Sequence, residues 1–285
     1  MIEHTFCHIP RVSARMEQKL WEAGVHSWGH VLKGDVPKLP RLNQDVLQRY
    51  AEESARALQF GDVRYFANFL PTALHWRFFP EFRERIAYLD IETTGIGAGH
   101  GITTIALYDG RRVYTYVRGR DLPAFAADVF NYDVLVTFNG KTFDVPFIEA
   151  EFGRTLPQVH IDLRYVLRRL GFAGGLKSCE HQMGLSRGKL DGVDGAMAVA
   201  LWREYKRNAR PAALETLLAY NVQDVLNLEV LLVKAYNMEV AKTPFGAQRK
   251  LREREPAPNP LKPDPKILRE LQRSNPGRFF PEHMA

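Results

Sequence analysis

Cysteine is scarce: Cys7 and Cys179 are the only two in 285 residues, and neither belongs to a C-x-x-C pair. Two cysteines cannot build a disulfide framework, which fits a chain kept in a reducing compartment. Also lacking is any uninterrupted apolar run near the roughly 18 residues of a membrane span. The opening Met1-Ile2-Glu3-His4 lacks the basic-then-apolar layout of a secretory signal. An acidic surplus is missing too, because 39 Lys and Arg stand against 33 Asp and Glu, a net charge of +6. These absences lead to the expectation of a cytoplasmic protein without a membrane partner. The basic balance favours polyanions such as nucleic acid, although many basic proteins bind none.

What is present falls into three zones. From residue 1 to 80 the chain reads as short helices and loops, with amphipathic stretches at Met16–Gly24 and Gln44–Gln59. From 81 to 241 strand-like runs appear at Ile86–Glu92, Ile102–Tyr108, Val113–Val117 and Val134–Phe138, with a short one near Val159–Ile161. Asp109-Gly110 marks a hairpin turn. Helical segments alternate with the later strands, and two long ones close the zone at about Ala196–Arg207 and Ala212–Asn237. From 242 to 285 prolines recur, which predicts an extended basic tail with one or two helical turns near Lys266–Arg273. The pattern predicts an α/β fold, a mixed five-stranded sheet flanked by helices. A meander followed by βαβ crossovers is the ribonuclease H-like layout.

Carboxylates occur where an apolar pattern disfavours them. Asp90 and Glu92 end the apolar run Ile86-Ala-Tyr-Leu, and their i,i+2 spacing points both to one face of a strand. Unpaired buried charges cost several kcal/mol, so a divalent cation is the obvious compensation. Asp144 follows the turn at Asn139-Gly140 and opens a helix; by itself it reads most simply as an N-cap. Asp224 lies on the same helical face as Leu217, Leu228 and Leu231, with Tyr220 one turn before it. A salt bridge to an arginine would also account for a lone Asp there.

Taken in order, Asp90, Glu92, Asp144, Tyr220 and Asp224 resemble the DEDD exonuclease superfamily, and its tyrosine-bearing DEDDy branch in particular. The position where the other branch carries histidine is Ala219. Val136–Phe147 and Tyr220–Asp224 are also similar to the proofreading domain of family B DNA polymerases. Further runs extend the likeness: His75–Pro80, Tyr88–Gly95, His160–Arg164 and Gly174–Lys177 look like the YprB-type ribonuclease H-like family, over about residues 70–232. The resemblance implies two divalent cations, Mg²⁺ or Mn²⁺, held by Asp90, Glu92, Asp144 and Asp224 for phosphodiester hydrolysis. It implies that Asp90 bridges the ions and that Tyr220 orients the attacking water. Thr93, Asn139 and Lys177 are candidates for holding the substrate, although Lys177 also reads as a solvated lysine.

Other motifs fail their own requirements. Gly140-Lys141-Thr142 imitates a P-loop ending, but the required glycine is Leu135, so no nucleotide cofactor is expected. His26 and His30 with Cys7 lack a fourth zinc ligand. Phe6–Trp28 resembles a degraded helix-hairpin-helix in which Arg11-Val12-Ser13 replaces the glycines. The expectation is therefore a metal-dependent 3′→5′ exonuclease acting on single-stranded DNA or RNA ends. A non-catalytic nucleic-acid-binding module and an endonuclease of structured nucleic acid are the alternatives.

Overall fold

The computed structural model describes residues 1–97 and 99–274; Arg278 and the last prolines of the tail lie outside the described residues. Four helices open the chain: α1 (Ala14–Glu22), α2 (Trp28–Leu32), α3 (Gln44–Gln59) and α4 (Val63–Phe69). Ser13, Asn43 and Asp62 cap α1, α3 and α4, each accepting a hydrogen bond from a first-turn N–H. The helix-hairpin-helix likeness of Phe6–Trp28 does not materialise. Residues 6–13, where the first helix and the hairpin would lie, form turns instead, and Glu17 accepts the Phe6 and Cys7 N–H groups. His26 and His30 are engaged with the Trp21 carbonyl and Ser27. A 3₁₀ segment, Thr72–Phe78, and the short α5 (Phe79–Phe82) lead into the sheet.

The sheet is mixed, in the order β3-β2-β1-β4-β5. Strands β1 (Ile86–Thr93), β2 (Ile102–Tyr108) and β3 (Val113–Val117) form the antiparallel meander. Asp109 secures the β2–β3 turn by accepting the Arg111 and Arg112 N–H groups at 2.8 and 2.7 Å. After the short α6 (Phe125–Asp128), strand β4 (Val134–Thr137) pairs parallel with β1. Then α7 (Asp144–Phe152) leads to β5 (Val159–Asp162), which pairs parallel with β4. The remaining helices are α8 (Leu163–Arg169), α9 (Leu176–Gln182), α10 (Gly195–Asn208), α11 (Pro211–Val240), α12 (Gly246–Arg249) and α13 (Pro265–Ser274).

Strand β1 is central, and its two faces enter different cores. Ala87, Leu89 and Ile91 pack with Phe125, Val129 and Ile148. Ile86 and Tyr88 join the large core that holds Val222, Val225 and Leu228 of α11. Period-two alternation therefore carries Asp90 and Glu92 to the α11 side. An 18-residue window of α11 has mean hydropathy 1.2, long and apolar enough to cross a membrane, yet 83% of it is buried inside the protein. The helix is apolar nearly all round because it is enclosed. The same large core takes in Phe6, Trp28 and Phe66 from the N-terminal region and Phe245 from the far end. The helical turns expected near Lys266–Arg273 form α13, and the tail is less extended than expected because α13 buries Ile267 and Leu268 against α10 and α11.

Candidate active site

Three carboxylates from two elements converge. Asp90 and Glu92 from β1 and Asp224 from α11 each offer an oxygen, and these atoms all lie within 4.8 Å of one another. The sequence brings them together through two periodicities. The strand period puts Asp90 and Glu92 on one face, and the helix period puts Tyr220 and Asp224 on one side of α11. A bulge between Glu92 and Thr93 then ends the regular β1–β2 register just beyond the second acid.

Asp144 does not act as the expected N-cap. Phe143 occupies that position, and Asp144 is the first residue of α7. Its Oδ1 accepts the N–H of Ile91 at 3.2 Å, between the two β1 acids. The β1–β4 pairing runs only from Ile86 to Tyr88, so this carboxylate serves a backbone donor beyond the end of the ladder. The turn before it is tight: a Cβ on Gly140 would come 2.2 Å from the Thr137 hydroxyl, and the Gly140 N–H donates to that hydroxyl at 3.1 Å. Asn139 takes the left-handed conformation at φ 67°. Asp162 caps α8 by accepting the Arg164 N–H and also accepts the Asn139 and Lys141 N–H groups, so its carboxylate ties the Asn139 turn to the end of β5.

Burial raises the pKa of every acid in the group. Asp90 is pushed well above its ordinary range by burial and then by Asp224, Asp144 and Glu92. Glu92 rises in the same way, through burial and Asp224, against the pull of Lys177. Burial takes Asp144 to about 7, opposed by its backbone hydrogen bonds. Burial takes Asp224 to about 6, opposed mainly by Arg187. Hard oxygen donors that repel one another in a buried space fit a divalent cation, which would relieve both costs.

Neighbours that sequence reasoning did not single out hold the acids in place. Asn221 donates to Asp90 Oδ2 at 2.6 Å and accepts from the Thr104 hydroxyl at 3.0 Å. Arg187 is buried, ion-paired to Asp224 and bidentate on Glu180. Glu180 also accepts from Asn227 at 2.8 Å. Two cations stand over the Tyr220 ring, Lys177 Nζ at 5.1 Å and the Arg187 guanidinium carbon at 5.5 Å from its centroid. Burial and the facing carboxylates push its phenol well above 10, so it keeps its proton at neutral pH. Asn221 adjoins the Tyr220 motif, which was a usable signal. Arg187 sits in an aperiodic loop, Gly184–Gly188, which offered none.

A cavity of about 900 Å³ opens on Asp90, Glu92, Tyr220 and Asp224. Thr93 lines it, with its hydroxyl on the Gly95 carbonyl at 2.7 Å. Asn139 instead faces an adjoining groove, where its side-chain oxygen accepts from Thr142 at 2.7 Å and contacts Arg164. Lys177 is half-buried against Tyr220, not a solvated lysine, and burial lowers its pKa.

The uncharacterized protein YprB of Bacillus subtilis (strain 168) is 31% identical over 170 residues, covering 51% of this chain and 40% of YprB. The chain thus spans well under half of that relative's length. Two solved structures align more loosely. A family B DNA polymerase from the archaeon Pyrobaculum calidifontis has a TM-score of 0.44 at 20% identity, covering 56% of this chain and 26% of the polymerase. The Aedes aegypti Nibbler EXO domain has 0.39 at 14%, covering 69% and 90%. The model of the RNase_H superfamily matches residues 87–236, which include all of the sheet but Ile86, the acids and nearly all of α11. With that match over more than half its length, the chain belongs to the RNase H superfamily.

Proposed function

We propose that this protein is a metal-dependent 3′→5′ exonuclease acting on single-stranded nucleic acid. Nucleases of the superfamily use divalent metals and act on nucleic acid. The observation that carries the reading is the convergence of Asp90, Glu92 and Asp224 within 4.8 Å at the floor of an open cavity, with Tyr220 beside them. Two cations, Mg²⁺ or Mn²⁺, bound by Asp90, Glu92, Asp224 and Asp144 would activate water and neutralise the charge on the leaving oxygen. The protein's own groups do the rest. Asn221 fixes the orientation of Asp90, and Arg187 fixes that of Asp224. The protonated Tyr220 hydroxyl positions water as a hydrogen-bonding group, since its raised pKa makes it a poor base.

The test is hydrolysis of a 5′-labelled oligonucleotide with Mn²⁺ or Mg²⁺, in matched DNA and RNA forms. A ladder of shortened products that disappears with EDTA or with a blocked 3′ end supports the reading. Cleavage that ignores the 3′ block would replace it with an endonuclease, and no cleavage with either metal would leave a binding module.

A further inference from the structure

The groove beside the catalytic cavity has a composition suited to an anionic, aromatic ligand. It encloses about 630 Å³ and shares Phe138 and Leu176 with the catalytic cavity, so the two are neighbours. Its wall carries Arg164 and Arg168, one turn apart on α8, together with Phe172, and no acidic residue. Both arginines are exposed, and neither pairs with a carboxylate among the described residues, whereas the adjacent Arg169 is taken up by Glu239. Arg164 is oriented by its contact with Asn139 Oδ1. Arg203 and Arg207 line the catalytic cavity itself, beside a Glu204 that is held by Arg210, whereas the α8 groove carries its two arginines with no carboxylate in its wall.

Side chains four apart on a helix have Cβ atoms about 5–6 Å from each other, a spacing that suits two points on one phosphate chain. Arginine forks bind phosphate oxygens in pairs, and an aromatic face beside a basic groove is the common platform for a single-strand base. We propose that this groove is a binding subsite for the nucleotides on the 5′ side of the scissile bond. Arg164 and Arg168 hold consecutive phosphates there and Phe172 receives a base. This subsite rests on the nuclease reading above and gives the strand a direction, along α8 toward Asp90 through the Phe138–Leu176 boundary.

The experiment is anisotropy titration of the full chain with 5′-labelled di- and hexanucleotides, oligothymidylate and oligouridylate, in EDTA across a salt series. Wild-type protein should bind the hexanucleotide more tightly than the dinucleotide. Arg164→Ala/Arg168→Ala should weaken hexanucleotide binding by about tenfold or more and flatten the log K against log salt slope by about 1.4, for two phosphates at about 0.7 each. Arg168→Ala alone, which leaves the Asn139 contact untouched, should flatten it by about 0.7. Phe172→Ala should weaken the hexanucleotide by about tenfold with an unchanged slope. Melting temperatures near the wild-type value verify that these variants fold. Hexanucleotide affinity and slope at wild-type values in the arginine variants would overturn the subsite and leave the nuclease reading intact. A wild-type protein that neither binds these oligonucleotides nor cleaves them with Mn²⁺ would overturn both.

Discussion

Asn221 holds Asp90 from across the sheet–helix interface, donating to its Oδ2 at 2.6 Å while Thr104 of β2 fixes the asparagine's other end at 3.0 Å. A helix residue and a strand residue thereby share the control of one carboxylate. Asn221→Leu should lower metal affinity by about ten- to a hundredfold, the effect of losing a group that orients a ligand. It should also cost about 1–3 kcal/mol of stability by stranding the buried Thr104 hydroxyl. Mn²⁺ titration calorimetry and urea denaturation measure the two effects separately.

Asp90 faces three other acids, and its substitution should separate function from stability. Asp90→Ala is expected to abolish hydrolysis while leaving metal-free protein at least as stable as wild type, because repulsion within the group is relieved. Thermal melts with and without Mn²⁺ check this: wild type should gain melting temperature with the ion, and the variant should gain little. Retained hydrolysis would remove Asp90 from the site.

Tyr220→Phe keeps the ring beside Lys177 and Arg187 and loses only the hydroxyl. Turnover should fall on the order of 10²-fold, with metal affinity nearly unchanged. Asp224→Ala should lose metal affinity and activity together. Single-turnover rates alongside Mn²⁺ titration distinguish the two roles, and equal metal loss in both variants would refute the assignment for the tyrosine.

The Glu180–Arg187 pair is almost fully buried, with side chains 1% and 4% exposed. Removing one partner strands the other charge, so Arg187→Ala should destabilise by about 3–5 kcal/mol. Glu180→Met/Arg187→Met should restore most of that stability without restoring activity, because Asp224 stays without its positioning cation. Equilibrium denaturation and the hydrolysis assay together test this.

His8 and His160 are both held neutral by burial, with pKa lowered to about 3. His8 bonds Ser54 at 2.7 Å and His160 bonds Thr137 at 2.6 Å. Their folded pKa lies below the unfolded value of about 6.5, so their contribution is full above about pH 6.5 and is lost as pH falls from there toward 3. Each contributes a slope of up to about 1.4 kcal/mol per pH unit in that window. His8→Gln should show a shallower loss than wild type between pH 7 and pH 5 in urea denaturation. Parallel curves would contradict the assignment.

Much of the fold was legible because regular elements announce themselves by period. The β2 and β3 runs and Gln44–Gln59 match the observed elements at both ends. Asp109-Gly110 turns where expected. The readings that changed depend on contacts between distant segments. Asp144 has the local chemistry of a cap, yet its carboxylate reaches a β1 N–H left beyond the β4 ladder. The helical turns expected near Lys266–Arg273 form as α13, but the docking of Ile267 and Leu268 against α10 and α11, in place of an extended tail, depends on those distant helices.

Residue spacing was enough to put Asp90 and Glu92 on one face and Tyr220 and Asp224 on another, because side-chain direction follows from covalent geometry and helical or strand pitch. The sequence also carried the order in which those acids arrive and the apolar helix that must be enclosed. Packing of distant segments was needed to bring oxygens of Asp90, Glu92 and Asp224 within 4.8 Å, to lay Arg187 on Asp224 and to turn Asn139 to the neighbouring groove. Those placements depend on how aperiodic loops return the chain, and such loops carry no repeating pattern from which a distance could be read.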